Sequence, residues 1–197
     1  PPMETCEVLI IGGGPAGASC AWRLVQKGID TRLLDAQVFP RLKLCAGWIT
    51  PDVVADIQLD QATYPHRFNS FSHFQVHLFG LNYKLASVQH SIRRYEFDDW
   101  LLKRSGVPVS VHNVREIRRE GDYYIVDDQY RARYLVGAGG TKCPVYRTLF
   151  RDSNARAKEL QTVTLEHEFA YPYDDPDCHL WFFSKRLPGY AWYVPKA

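Results

Sequence analysis

Nothing near the start of this 197-residue chain is both long and apolar. The longest aliphatic run there, Val8-Leu9-Ile10-Ile11, falls far short of the ~20 residues of a membrane span, and is too short for a signal-peptide core. Charge of one sign is lacking too. A formal net charge of +2 argues for neither a nucleic-acid partner nor a membrane surface. The five cysteines, Cys6, Cys20, Cys45, Cys143 and Cys178, are odd in number and never spaced C-x-x-C. That argues against a disulfide framework or a zinc site and fits a reducing compartment. No internal repeat, low-complexity linker, P-loop lysine or serine-protease-like arrangement is present. What remains is ordinary globular composition, 46% apolar and 23% charged, with length enough for a real core in one large domain or two small ones. Pro1-Pro2 ahead of Met3 are read as an appended remnant and left out of the fold.

Residues 7 to 35 read as strand, turn, helix and strand. "EVLII" is a buried strand and Gly12 to Gly14 form the turn. A helix is expected from Ala16 to Lys27, with Gly28 as its left-handed cap, and "TRLLD" as the second strand. Gly12, Gly14 and Gly17 stand in G-x-G-x-x-G spacing between strand and helix. In that context the first glycine permits a tight turn, the second lets backbone approach a pyrophosphate, and the third lets helix pack on sheet. Helix amides would hold the phosphate charge, and Asp35, ending the second strand, would accept a ribose hydroxyl. The alternative is a glycine-rich turn without ligand.

Further along, "FNSFSHFQVHLFG" and "LNYKLASV" alternate around Gly80 as an antiparallel pair. A helix is expected over 96 to 105, a strand in "VPVSVHNV", and a hairpin feeding an apolar strand in "GDYYIVDDQYRARYLVGAGG". "LQTVTLEHEF", "CHLWFF" and "YAWYVP" are read as further strands. The expected architecture is α/β: a Rossmann-like nucleotide domain over 3–65 and 91–150, interleaved with an antiparallel β-sheet substrate domain over 66–90 and 151–197 that is incomplete at its C-terminus. His73 and His77 resemble a metal pair, but in a strand four residues separate them by about 13 Å, so no metal site is expected. Asp98-Asp99 fit a helix start, and Asp127-Asp128 a turn. Asp174, Asp175 and Asp177 fit a solvated loop.

"PRLKLCAGW" sets a cysteine among basic and small residues. Cys45 reads as a reactive thiol, a ligand, or a small hydrophobe that lets something flat approach. With "GGGPAGASCAWRLVQKGIDTRLLD" before it, "RRYEFDDWLL", "YLVGAGGTKCPVYR" and "PGYAWYVP" after it, the chain resembles FAD-dependent oxidoreductases of the geranylgeranyl reductase type. These are relatives of the p-hydroxybenzoate-hydroxylase-like aromatic hydroxylases and the flavin-dependent halogenases.

The resemblance implies roles position by position. Gly12, Gly14, Pro15, Ala16 and Gly17 would cradle the pyrophosphate, and Asp35, with Ala36 beside it, the adenosine ribose. Arg41 and Arg94 would make polar contacts to FAD, and Val114 would meet the adenine through its backbone. Ala138 and Gly139 would add backbone contacts, while Cys45, Ala46 and Gly47 would line the flavin ring on its substrate side. Cys45 is the candidate catalytic residue, with a buried, inert cysteine as the alternative. The implied reaction reduces prenyl double bonds by hydride transfer from reduced flavin, with NAD(P)H or a ferredoxin-like donor as reductant. Monooxygenase or halogenase chemistry on the same scaffold is an alternative, as is a non-catalytic nucleotide-binding fragment. A cytoplasmic location is expected, with peripheral membrane contact suggested by an isoprenoid or lipid substrate and no nucleic-acid partner.

Three departures bear on these roles. Cys45-Ala46-Gly47 stands where relatives carry C-G-G, and Gly137-Ala138-Gly139-Gly140 where many carry G-A-D-G. The G-D-A segment that holds the ribityl chain would lie beyond Ala197, so an N-terminal fragment is expected. In a strand, Tyr190, Trp192 and Val194 share one face. Joined by Trp181 of "CHLWFF", that face would wall an apolar substrate pocket. The alternative is a face packed on the core.

Overall fold

The structure is a computed structural model that describes residues 2–157, 159, 161–183 and 189–196. Two compact units emerge, one of residues 1–41 and 98–163, the other of 42–97 and 164–197.

In the first unit, β1 (Glu4–Ile11) runs into α1 (Pro15–Gln26) and returns as β2 (Thr31–Asp35). Leu9 and Ile10 are completely buried, as a strand inside a parallel sheet requires. β1 pairs in parallel with β2 on one side and with β9 (Tyr130–Gly137) on the other, Ile11 standing opposite both Leu34 and Gly137. With β6 (Val109–Val111), β7 (Ile117–Glu120) and β8 (Tyr123–Val126), the sheet order is β6-β2-β1-β9-β8-β7. Two neighbouring strands therefore end together beside the Gly12 turn, where α/β sheets bind ligands. The β8–β9 hairpin turns on Asp127 and Asp128, whose φ values of 49° and 54° fit the mirror-image turn that matches strand twist.

The second unit holds the sheet β11-β10-β4-β5-β3. Here β3 is Trp48–Ile49, β4 Asn69–Leu78, β5 Leu81–Ser91, β10 Cys178–Phe182 and β11 Tyr190–Tyr193. β4 and β5 form the expected antiparallel pair, whereas β10 runs parallel to β4, so the sheet is mixed. Residues 42–65 and 91–97, expected with the nucleotide domain, fall in this unit because β3 pairs with β5 and the Ile92 amide donates to the Gly47 carbonyl. Residues 151–163 fall in the first unit instead; there the Tyr146 hydroxyl bonds the Asn154 carbonyl and the Arg156 amide.

Two further expectations are corrected. The helix expected at 96 begins earlier, as α3 (Arg94–Ser105), so Asp98 and Asp99 lie inside it and are buried rather than at its start. No strand forms over 161–169, where Val163 is 97% exposed; Leu160 lies outside the described residues. The carboxylates of this segment instead meet cations, Glu166 at Lys196 and Glu168 at both Lys196 and Arg93. Among the described residues, no helix is long and apolar enough to cross a membrane.

Candidate functional site

The glycine turn explains its own composition, with one exception. Gly12 has φ +112°, and a Cβ there would lie 2.5 Å from the Ala138 carbonyl carbon, so only glycine lets the turn pass the end of β9. A Cβ on Gly17 would lie 1.8 Å from the Gly12 oxygen, which is how closely α1 sits on the turn. Gly14 is different. Its φ of −68° suits any residue, and the nearest atom to a Cβ there is Arg41 Nη2 at 3.5 Å. No protein atom requires glycine at 14, but a group approaching the backbone would.

Two features favour an anionic group there. α1 starts at Pro15 with no side-chain cap and no acidic residue in its first turn, leaving its amides to an outside anion. Arg41 stands over the same spot. Its guanidinium lies 3.6 Å from the fully buried carboxylate of Asp98 and 4.7 Å over the Phe39 ring, and its side chain is only 15% exposed. Asp98 and Phe39 thus fix a positive charge beside Gly14, and a pyrophosphate fits there on all three counts.

The nucleoside end is equally built. Asp35 accepts the Gly13 amide at 2.7 Å and the Gln37 amide at 2.9 Å, one on each oxygen, which orients a carboxylate that still has lone pairs for ribose hydroxyls. Ala36 beside it is exposed. The Val114 side chain is buried in the core, leaving its backbone for a ligand. Asp127 holds that loop, accepting the Arg115 amide at 3.1 Å, the Glu116 amide at 2.6 Å and a His112 Nε2 contact at 2.6 Å. Burial pushes the Asp127 carboxyl up, but these amides and His112 outweigh it and hold it below the usual range. Ala138 donates its amide to the Ile11 carbonyl at 2.8 Å. A Cβ at Gly139 would sit 3.1 Å from Cys143 Cα, so packing accounts for that glycine.

In the second unit, Arg94 opens α3, partly buried. Cys45 is half-buried, its sulfur near the Gly47 amide at 3.5 Å and its carbonyl accepting from Lys196 Nζ at 2.7 Å. Gly47 has φ +72°, and a Cβ there would fall 2.0 Å from the Ile92 oxygen. Ala46, Trp48, Thr164, Leu180, Tyr190, Trp192 and Val194 line a mostly apolar cavity of about 150 Å³. Cys178 lines it too, and burial, helped by Asp177, pushes its thiol up to about 12.

Trp181 does not belong with Tyr190 and Trp192. The ladder sets Trp192 opposite Leu180 and Tyr190 opposite Phe182, while Trp181 stands opposite Ala191. Strand alternation therefore sends Trp181 to the other face of the sheet. His73 and His77 are strand residues, and no group of three metal-ligating side chains occurs among the described residues. Asp98, beside Arg41, and Asp127, holding the Val114 loop, support the candidate site in ways that the sequence reading of a helix start and a turn did not include. Only the spacing of Asp98 within "RRYEFDDW" offered a signal, and none pointed to Asp127.

An uncapped βαβ turn, an open glycine and a held arginine, at the parallel end of a mixed sheet, define a dinucleotide-binding α/β fold. Residues 5–41 match the family model of an FAD binding domain. A menaquinone reductase of Mycobacterium tuberculosis is 28% identical over 216 residues, covering 98% of this chain and 52% of that protein. A probable FAD-dependent monooxygenase from Pseudomonas aeruginosa superposes with a TM-score of 0.72 at 17% identity, over 98% of this chain and 58% of that one. The myxobacterial chondrochloren halogenase, an FAD-dependent halogenase, gives a TM-score of 0.72 at 20% identity, over 98% and 51%. The fold is thus that of the FAD-dependent oxidoreductases. The chain spans about half the length of the curated relatives it matches.

Proposed function

We propose that this chain forms the FAD-binding part of an oxidoreductase that reduces isoprenoid double bonds. Arg41, held by buried Asp98 over a glycine that no protein atom requires, is the observation that carries the cofactor assignment. When bound and reduced, FAD supplies hydride to an isolated double bond. The chain's own residues bind and orient. Arg41 and the first amides of α1 neutralise the pyrophosphate, Asp35 takes the ribose, and the backbone at Val114, Ala138 and Gly139 meets the adenosine side. Arg94 adds a polar contact to the cofactor.

Cys45, Ala46 and Gly47 line the ring on its substrate side, and the Cys45 thiol is the proposed proton source at the saturated carbon. The cavity beside Ala46, walled by Tyr190 and Trp192, suits a slender apolar chain, which is held through area alone at ~25 cal/mol per Å². A relative named as a menaquinone reductase supports a substrate with an isoprenoid tail. NAD(P)H or a ferredoxin-like protein is the proposed reductant, and the substrate is met from the cytoplasmic side.

The test is the visible spectrum of the purified chain after incubation with FAD and desalting. Retention of a structured flavin band is expected, and Gly14→Ala should abolish it without loss of fold. If the folded chain takes up no flavin, the same spectrum on a protein extended past Ala197 decides, and a colourless extended protein would overturn the assignment. With electron donor and a polyprenyl substrate, loss of the double bond is expected. Oxygen uptake in step with NAD(P)H oxidation would assign monooxygenase chemistry instead.

A further inference from the structure

The face of the second sheet that carries Trp181 is not bare. A cavity of about 570 Å³ opens over it, within the usual size of a small-molecule site. Trp181 and His179 line it, their rings 5.6 Å apart at 21°, and His77 stacks parallel to Trp181 at 4.7 Å and 8°. Its walls stand upright to one another. Tyr171 and Tyr193 meet at 6.2 Å and 85°, and His179 meets Tyr193 at 5.9 Å and 68°. A ligand in this cavity would therefore meet aromatic rings set at steep angles to one another, each with a negative face.

The charge lining the cavity has one sign. Asp174 and Asp175 line it, and no lysine or arginine does so among the described residues. Lys84, the cation nearby, pairs with Asp177 at 3.9 Å. Asp175 is anchored, accepting the Asp177 amide at 2.9 Å and facing His179 Nε2 at 3.3 Å. The Asp177 amide above all, with His179 and Lys84 near, holds its carboxyl below the usual range, so it is ionised at neutral pH. Aromatic faces at right angles with carboxylates at the rim form the arrangement that recognises a quaternary ammonium.

We propose that this cavity binds a small organic cation through the π faces of Trp181, Tyr171 and Tyr193 and the carboxylates of Asp174 and Asp175. The site lies on the opposite face of the β10–β11 ladder from Tyr190 and Trp192, so it does not rest on the cofactor or substrate reading. Calorimetric titration with choline tests it, beside its neutral isostere 3,3-dimethylbutan-1-ol. Saturable choline binding is expected, with the alcohol clearly weaker. Each exposed cation–π contact is worth about 2- to 5-fold, so Trp181→Leu and Tyr193→Leu should each weaken choline by that much. Tyr193→Phe keeps the ring and should keep the affinity, which separates loss of the site from loss of the fold.

Equal binding of choline and alcohol would reveal a merely apolar groove, and no choline binding at all would leave no cation site; either overturns the proposal. Phosphatidylcholine vesicles distinguish the source. Co-sedimentation that free choline reverses identifies a lipid headgroup, and choline binding without co-sedimentation a free metabolite.

Discussion

The turn at residues 12–17 and the loop at 45–47 both carry glycines, but the glycines answer to different neighbours. At Gly12, Gly17 and Gly47 a methyl group would strike the protein's own backbone, at 2.5, 1.8 and 2.0 Å. At Gly14 it would meet only a guanidinium nitrogen at 3.5 Å. Three of these glycines are therefore kept by the fold, and one is not. A glycine motif read as a unit hides that division.

The comparison can be broken, and the harshest attempt removes the support of Arg41. Asp98→Ala deletes a buried carboxylate facing a largely buried cation, which typically costs about 3–5 kcal/mol, and should lower both melting temperature and FAD retention. Gly17→Ala and Gly47→Ala come next. Each overpacks against backbone that cannot step aside, at the upper end of ~1–3 kcal/mol, seen as a melting temperature lower by several degrees. Gly14→Ala should leave stability within about 0.5 kcal/mol, the usual range for a change that meets no packed neighbour, while FAD affinity falls at least about tenfold. A marked loss of stability in Gly14→Ala would erase the distinction.

The smallest effect concerns pH. Asp127 has a folded pKa below its unfolded one, so its stabilisation is complete above the unfolded value near ~4 and is lost as pH falls through the folded value. Asp127→Asn should lower stability across the neutral range, where that stabilisation is complete, and converge with the parent as pH falls below ~4, so that its profile has a flatter acid limb. An unaltered acid limb would show that Asp127 does not hold the Val114 loop.

The βαβ unit was legible because each of its signals is local: a buried run, spaced glycines, a helix with a cap, and an acidic strand end. What was not legible depended on distant partners. "LQTVTLEHEF" alternates like a strand, yet alternation cannot supply a neighbouring ladder, and its glutamates found Lys196 and Arg93 instead. Trp181 was grouped with Tyr190 and Trp192 because all three are aromatic, whereas the side it faces is set by pairing parity across β10 and β11. The aspartates of "DD" at 98–99 and 127–128 look alike in sequence. One pair sits in a helix beside Arg41, and the other makes a left-handed turn beside His112.

The pairing of β1 with β9 also sets a timetable. β1 is made well before the partner on its second flank, which spans residues 130–137. At roughly 5–20 residues per second, a strand that ends in the apolar run Val8–Ile11 waits several seconds with one edge open. During synthesis the protein therefore depends on what shields that edge, and β1 is open to aggregation until β9 arrives.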